Sequence, residues 1–234
     1  MGPSGVIAPN AMRLLVIVPA KSAHEADPLF LQKLGSGCLI DTTLADAERQ
    51  LERGQTTLCL TTDDERVMAH IRCRNKNWLL KLRDPDEAAE NYFSTLYRAF
   101  EWSRRQTGSD FDAVLILEPS HPFRPSGLIA NALGMMAKDP KLDTVVSVVR
   151  EYGNLWIEDT AGNLHRTTTR LGRSFYREIA GLCLLTKPAT MATEDAIGHD
   201  IGFVVVEEQW AMIDIHGVEG VAMARRYHDL LAKQ

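Results

Sequence analysis

The residues best placed for chemistry lie in one short loop that directly follows an apolar run. Residues Ala113–Leu117 are all Ala, Val, Leu or Ile, which predicts a strand buried on both faces of a parallel sheet. The loop after this strand has a backbone fixed by two prolines, and it carries Glu118, Ser120, His121 and Arg124. Ligands of open α/β sheets bind outside the carboxyl ends of strands. We therefore expect this loop to contact a small polar ligand.

The elements that must position this loop follow one another in strict alternation. Strands are predicted at Arg13–Val18, Thr56–Leu60, Asn77–Leu82, Ala113–Leu117 and Asp143–Val149. Helices are predicted between them at Leu39–Arg53, Glu65–Arg74, Asp86–Gln106 and Ser126–Ala137, with Asp63 and Asp64 as candidate caps of the second helix. Such alternation indicates an α/β fold with a right-handed, doubly wound sheet.

The pattern changes at Arg150, where short strand-like pieces rich in Gly, Thr and Arg begin. We interpret residues 150–200 as an antiparallel excursion from a single domain, 12–234, and as a candidate dimer arm. Two late strands, Ile201–Val206 and Ala211–Ile215, and a helix at Glu219–Lys233 complete the predicted elements. Residues 1–11 lack the apolar core of a signal peptide, and we expect a disordered leader or a tag remnant there.

Composition excludes several classes of protein. The chain has 234 residues, 45% of them hydrophobic and 24% charged, as is typical of a globular domain. A net charge of −5 argues against a broad nucleic-acid-binding face, and no apolar run is long enough to cross a membrane. The four cysteines are scattered without a CxxC pair, which predicts a reduced, cytoplasmic protein and argues against a zinc site.

Six short motifs, in one order, resemble those of the acylneuraminate cytidylyltransferase family, whose members make CMP-activated sugar acids. They are LVIVPAK at Leu15–Lys21, TTDDE at Thr61–Glu65, LRDP at Leu82–Pro85, LEPSHPFR at Leu117–Arg124, FYREIAG at Phe175–Gly181 and IDIH at Ile213–His216. The resemblance covers nearly the whole chain, from about Leu14 to Leu231. It implies a Rossmann-like, mostly parallel sheet with one antiparallel strand, and a homodimer formed through the excursion.

The resemblance also implies a reaction. CTP would donate CMP to an acceptor such as a sugar acid or phosphonate, pyrophosphate would leave, and Mg²⁺ would be required. The protein would contribute positioning and charge neutralisation to an in-line attack on the α-phosphorus. The acceptor stays open, since related enzymes activate different acids. A catalytically inactive nucleotide-binding or scaffold protein is the alternative from another class.

On the nucleotide side, the segment Ala20–Ser22 follows the first strand, where backbone N–H groups can cradle a triphosphate. Lys21 occupies the place of a family arginine, and the glycine-rich run that should follow is replaced by Ser22–Ala26. Lys33 is a candidate for the missing positive charge, and Arg83 matches the arginine that reads the cytosine base. The structural alternatives are a solvated lysine and an ordinary helix-flanking arginine.

The candidate metal ligand is Asp214, which matches the first carboxylate of the family's IDID motif. His216 takes the place of the second carboxylate, and imidazole is a poor ligand for Mg²⁺. Three arrangements are open: Asp214 acts with water alone, Glu219 joins it, or Mn²⁺ is the metal. A purely structural Asp214 at a strand end is the alternative.

On the acceptor side, Glu118 replaces a family glutamine. A carboxylate there disfavours an anionic acceptor and favours a cationic or hydroxyl-rich one, unless Glu118 only receives backbone hydrogen bonds. The other candidate acceptor contacts are Ser120, Arg124, Arg173 and Arg177. Arg124 has a structural role as its alternative, and Arg173 and Arg177 a dimer interface.

Overall fold

The computed structural model describes residues 12–22, 28–75, 77–84, 86–87, 91–167, 174–193 and 196–231. The strands in this part of the chain are β1 (Leu14–Ala20), β2 (Lys33–Leu34), β3 (Gly37–Cys38), β4 (Thr56–Thr62), β5 (Trp78–Leu82), β6 (Ala113–Ile116), β7 (Thr144–Glu151), β8 (Trp156–Glu158), β9 (Leu164–Arg166), β10 (Phe175–Glu178), β11 (Leu184–Thr186) and β12 (Ile201–Val206). The α-helices are α1 (Leu39–Glu48), α2 (Glu65–Arg74), α3 (Tyr92–Thr107), α4 (Leu128–Lys138) and α5 (Val218–Leu231).

One large sheet organises the molecule. Its strands follow the order β5-β4-β1-β6-β11-β7. Strand β10 pairs with the same edge of β7 as β11 does, but further along that strand. Strand β12 pairs with the other side of β7. The pairs β1–β4, β1–β6, β4–β5 and β7–β12 are parallel, whereas β11 is antiparallel to both β6 and β7.

The core lies on both faces of this sheet. On β1, Val16 and Val18 face the layer of α1, α2, α4 and α5, while Leu15 and Ile17 face α3. All seven residues of β1 are buried, and so are all four residues of β6, for which burial on both faces was predicted. Helices on both faces of a mostly parallel sheet confirm the predicted Rossmann-like, doubly wound α/β fold with a small antiparallel part.

One predicted strand has another structure, one predicted helix begins later, and the helix predicted at Leu39–Arg53 is α-helical only to Glu48 and ends in a 3-10 segment, Arg49–Arg53. The segment predicted as the strand Ala211–Ile215 instead contains a 3-10 turn, Gln209–Met212, and its Ile215 N–H donates to the carbonyl of Ser120 in the loop after β6. Because it bonds to this loop, the segment joins no sheet ladder. Helix α3 begins at Tyr92, later than predicted, since the Asn91 side chain accepts from the N–H of Ser94 and caps it there.

The excursion is antiparallel, as predicted. Strands β8 and β9 form a separate two-stranded hairpin whose six residues are all exposed. Strand β10 returns along β7, and β11 then inserts between β6 and β7. The proposed use of this excursion in a dimer stays a prediction, and the predicted leader, 1–11, lies outside the described residues.

The remaining sequence-based expectations concern cysteines and membranes. None of the four cysteines forms a disulfide, and Cys59 and Cys183 are buried in the core. In the part of the chain that the structure describes, no helix combines the length and apolar character needed to cross a bilayer.

Candidate active site at the carboxyl ends of the strands

Three parallel strands end at the same level, so the residues that follow them lie along one edge of the sheet. Ala20 of β1 pairs with Thr62 of β4, which pairs in turn with Leu82 of β5. The next residues along each chain segment are Lys21, Asp63 and Arg83. Register between strands thus brings together a lysine, an aspartate and an arginine that are far apart in sequence.

The start of the loop after β1 is tied to the end of β4. The N–H of Ser22 donates to Asp63 Oδ1 at 2.7 Å, and the Ser22 hydroxyl donates to Asp64 Oδ2 at 2.8 Å. Asp64 also accepts from the N–H of Arg66 and caps α2, which confirms one of the two predicted caps. Because the Ser22 N–H is committed to Asp63, the predicted role of this N–H in a phosphate cradle is not supported.

Arg83 is buried beside this loop, and the half-buried Asp63 acts on it through its opposite charge. The Arg83 side chain donates from Nε to Thr61 Oγ1 at 3.1 Å and from Nη2 to the Thr61 carbonyl at 3.0 Å. Burial lowers the pKa of Arg83, and the charge of Asp63 is the main influence that opposes this shift. Among the described residues, Asp63 Oδ2 is buried without a hydrogen-bond partner. An unused acceptor therefore lies near an anchored donor.

Glu118 is held by hydroxyl groups at the carboxyl end of β6. The Tyr92 hydroxyl donates to Oε1 at 2.5 Å, and the Ser120 hydroxyl donates to Oε2 at 3.3 Å. Desolvation of the Tyr92 hydroxyl, together with the charge of Glu118, raises the pKa of Tyr92 well above its ordinary value. The alternative in which the Glu118 side chain receives only backbone hydrogen bonds is wrong, because its partners are side-chain hydroxyls.

Arg124 holds the loop from within. Its guanidinium donates to the carbonyls of Glu118, Gly181 and Leu182 and to the Thr43 hydroxyl, and its side chain is 2% exposed. Asp46 lies 3.6 Å from Arg124 Nη1 and supplies the opposing charge. Because these donors are directed to the protein, Arg124 positions the loop after β6. The predicted contact of Arg124 with an acceptor therefore lacks structural support.

Two histidines flank Asp214 next to this loop. His121 Nε2 lies 3.7 Å from Asp214 Oδ1, and His216 Nε2 lies 2.7 Å from Asp214 Oδ2. Burial is the main cause that lowers the pKa of His121 to about 4. His121 is therefore neutral at pH 7, and within the described residues its buried Nδ1 has no hydrogen-bond partner.

The donor set around Asp214 gives a partial fit to a divalent cation. One carboxylate suits a Mg²⁺ ion that is held mainly by phosphate oxygens and water. His216 occupies one carboxylate oxygen and adds no ligand that Mg²⁺ prefers. Glu219, the alternative second carboxylate, lies in the first turn of α5 and is exposed.

The remaining predicted site residues are spread more widely. Lys21 is exposed at the strand edge, whereas Lys33 lies in the β2–β3 hairpin, where its carbonyl accepts from Arg225 of α5. Arg177 pairs with Glu151 at 2.8 Å and lines an open groove of about 900 Å³ beside β7 and β12. Arg173 and residues 23–26 lie outside the described part of the chain.

Sequence reasoning missed two members of this site. Tyr92 lies within the predicted helix Asp86–Gln106 and was not singled out, yet its hydroxyl holds Glu118. Gly181 passes so close to the loop that a Cβ there would lie 2.7 Å from both Glu118 Cδ and His121 Cδ2. Its position at the end of the FYREIAG motif was the available signal, because a glycine is required where backbone passes close to side chains.

In sequence comparisons, no protein-family model and no curated protein matches this chain. Solved structures do resemble it. One is the 4-diphosphocytidyl-2C-methyl-D-erythritol synthase of Anaerococcus prevotii, with a TM-score of 0.67, 15% identity, and coverage of 92% of this chain and 96% of that one. Another is CMP:2-keto-3-deoxy-manno-octonic acid synthetase in complex with CTP, with a TM-score of 0.64, 13% identity, and coverage of 94% and 99%.

A further 4-diphosphocytidyl-2C-methyl-D-erythritol synthase has a TM-score of 0.64 and 11% identity, over 92% of this chain and 98% of its own. Two of these names contain a diphosphocytidyl compound, and the third contains CMP and an octonic acid. At such low identity the likeness is one of fold. The chain therefore has the fold of these synthetases over almost its entire length.

Proposed function

We propose that this protein is a CTP-dependent cytidylyltransferase, which transfers CMP to a small acceptor and releases pyrophosphate. The carrying observation is the anchored Arg83 at the carboxyl end of β5, together with Asp63 Oδ2 at the carboxyl end of β4, which has no hydrogen-bond partner among the described residues. The fold shared with a synthetase complexed with CTP supports the proposal. So does the position of the site, since open α/β sheets bind ligands at this edge.

The Arg83–Asp63 pair complements a cytosine base. Cytosine offers an amino group as donor and a ring carbonyl as acceptor, and a carboxylate is a suitable acceptor for that amino group. Arg83 would donate to the carbonyl, and Asp63 Oδ2 would accept from the amino group. Uracil carries a carbonyl in place of the amino group, so the Asp63 carboxylate would repel it. The pair thus gives a physical basis for the selection of CTP over UTP.

Lys21 and a metal ion held by Asp214 would neutralise the negative charge of the triphosphate. Lys21 follows β1, between β4 and β6, where it would contact the triphosphate as a point charge. Asp214 would hold Mg²⁺, or Mn²⁺ as the alternative, which would neutralise charge on the phosphates when bound. In the reaction, an acceptor oxygen bonds to the α-phosphorus, the bond to pyrophosphate breaks, and the acceptor's proton is released.

We propose that the acceptor binds at Glu118, Ser120 and Arg177. Glu118 is fixed by Tyr92 and Ser120, so it presents a carboxylate in a defined position. A carboxylate accepts hydrogen bonds from hydroxyl or ammonium groups and repels anions. The acceptor would therefore present a hydroxyl-rich or cationic portion here, and Arg177, in the groove beside β7 and β12, would take an acidic portion.

We further propose a homodimer that associates through the excursion. Tyr152, Trp156, Ile157 and Leu164 are all more than half exposed there. A two-stranded hairpin such as β8–β9 is marginally stable by itself in water. Burial of these side chains against a second copy of the chain would stabilise it.

The direct test is pyrophosphate release from CTP and Mg²⁺ over a panel of sugar acids, polyol phosphates, phosphonates and amino sugars. We expect turnover with one acceptor class, and a loss of at least tenfold in Lys21→Ala and Asp214→Asn. Lys141→Ala is the matched control, because Lys141 is exposed in the turn before β7, at the opposite end of the sheet.

A nucleotide-binding protein without turnover is the second candidate. The observation that favours it is the Asp214 carboxylate, whose two oxygens both lie near imidazoles. CTP at a hundred times its Kd would then stabilise the fold by about 2.7 kcal/mol. Such stabilisation without pyrophosphate release on the whole panel would select this candidate.

A further inference from the structure

We propose that Cys38, Asp41 and His70 form a binding site for one Zn²⁺ ion, which links α1 to α2. The ligand atoms of these three residues all lie within 4.8 Å of one another, and each side chain is half-buried. They are the one such trio of His, Cys, Asp or Glu among the described residues. This proposal is independent of the proposed cytidylyltransferase function. It departs from the sequence-based argument against a zinc site, which considered cysteine spacing alone, because two of the three ligands are an aspartate and a histidine.

Each ligand is placed by a regular element. Cys38 ends β3 and immediately precedes α1, and its backbone N–H donates to Asp41 Oδ2 at 2.6 Å. Asp41 lies in the first turn of α1. His70 lies within α2, and its Nε2 is 2.8 Å from Asp41 Oδ1. The thiol, the carboxylate and the imidazole therefore converge before any metal binds.

The backbone at Gly37 passes close to the Asp41 carboxylate and fixes its position. A Cβ at Gly37 would lie 2.7 Å from Asp41 Oδ2, so only glycine leaves room for the side chain in this position. The hairpin formed by β2 and β3 ends directly at the site. Pre-organisation of this kind lowers the entropic cost of ordering ligands around an ion.

The donor set selects the metal. Thiolate sulfur, imidazole nitrogen and carboxylate oxygen are the three ligand types of protein zinc sites, whereas Mg²⁺ prefers oxygen ligands alone. Tetrahedral zinc at ordinary bond lengths separates its ligand atoms by about 3.3–3.6 Å. His70 and Asp41 would have to move apart by less than about 1 Å to admit the ion. Three protein ligands leave a fourth position for water.

The surrounding charges accommodate the ion. Burial and the Asp41 carboxylate raise the pKa of the Cys38 thiol, so the thiol carries its proton before the ion binds. Zn²⁺ would displace this proton to solvent as the sulfur–zinc bond forms. The net charge of the site then rises by one unit. Arg74 Nη1 lies 3.6 Å from Asp41 Oδ1, but Arg74 is also hydrogen-bonded to Glu48, whose carboxylate offsets its charge.

The experiment is titration of the full chain with Co²⁺, followed by thermal unfolding with and without Zn²⁺. Thiolate coordination by Co²⁺ gives a sulfur-to-metal charge-transfer band in the near ultraviolet. We expect this band in the wild type, together with a rise in Tm of about 5–10 °C at a Zn²⁺ concentration one hundred times Kd. Cys38→Ser should lose both signals. Cys73→Ser, which alters an exposed thiol on α2, should keep both.

His70→Gln provides a second variant in case Cys38→Ser does not fold. Glutamine can still donate to Asp41, so the fold is expected to persist while Zn²⁺ binding falls at least tenfold. The proposal is overturned if the wild type shows neither signal. It is equally overturned if Cys38→Ser or His70→Gln keeps both signals unchanged, or if Cys73→Ser loses them.

Discussion

At the scale of single residues, burial sets the chemistry of His121. In the folded protein the pKa of His121 is about 4, against an ordinary 6.5. Between pH 4 and pH 6.5, His121 is therefore neutral in the folded protein and protonated in the unfolded chain. Since the unfolded state then holds more protons, the free energy of unfolding must fall as the pH falls from about 6.5 to 4.

We predict that urea unfolding shows this loss with a slope of up to about 1.4 kcal/mol per pH unit. In His121→Gln the contribution disappears, because glutamine does not titrate. Parallel slopes for the two proteins between pH 4 and 6.5 would show that His121 is not held neutral.

Arg124 provides a second test at this scale, since it separates positioning from acceptor binding. A lysine cannot donate at once to the carbonyls of Glu118 and Leu182 and to Thr43, so buried acceptors lose their partners. We predict that Arg124→Lys lowers the free energy of unfolding by roughly 2–4 kcal/mol in urea titrations.

Arg105→Lys, which alters an exposed arginine of α3, is the matched control and should change stability by less than about 0.5 kcal/mol. If Arg124→Lys is as stable as this control but binds the acceptor more weakly, Arg124 contacts the acceptor after all.

The sequence predicts the role of a residue when that role is decided by neighbours a few positions away in the chain. The loop after β6 was predictable, because two prolines and four polar side chains follow an apolar run within a few residues. The Arg83–Asp63 pair was not, because it depends on the register of Ala20, Thr62 and Leu82 across three strands. Asp64 as a helix cap was predictable, since capping is decided within one turn.

At the scale of elements, the passage of the β10–β11 connection against the loop after β6 determines the shape of the acceptor side. We predict that Gly181→Ala lowers the free energy of unfolding by about 1–3 kcal/mol and reduces turnover, because the new Cβ displaces Glu118 and His121.

The matched control is Gly134→Ala, in α4, where a Cβ meets no atom within 4 Å. There alanine should stabilise the protein by about 0.5–1 kcal/mol. Equal stability of the two variants in urea unfolding would contradict the close packing of Gly181.

Elements were predicted well where burial alone decides them. The strands β1, β4 and β6 followed from apolar runs, and α2 from its cap and its periodic apolar positions. The predicted strand at Ala211–Ile215 was wrong because its backbone bonds to a loop and not to a ladder, a tertiary choice that apolar content does not reveal.

At the scale of the whole molecule, the exposed apolar side chains of the excursion predict self-association. We expect the wild type to sediment as a dimer at micromolar concentration, and Trp156→Glu to sediment as a monomer. Met223→Glu is the matched control, because Met223 on α5 is as exposed as Trp156, at 59% against 58%, but lies outside the excursion. A monomeric wild type, or an equal effect of both variants, would rule out the proposed dimer interface.

The central claim is that this edge of the sheet selects a cytosine nucleotide through Arg83 and Asp63. Calorimetric titration with CTP and UTP in the presence of Mg²⁺ tests it most directly. We predict that the wild type binds CTP at least tenfold more tightly than UTP, and that Asp63→Asn removes most of this difference, because an amide can also donate to the uracil carbonyl. Equal affinity of the wild type for the two nucleotides, or binding of neither, would contradict the account.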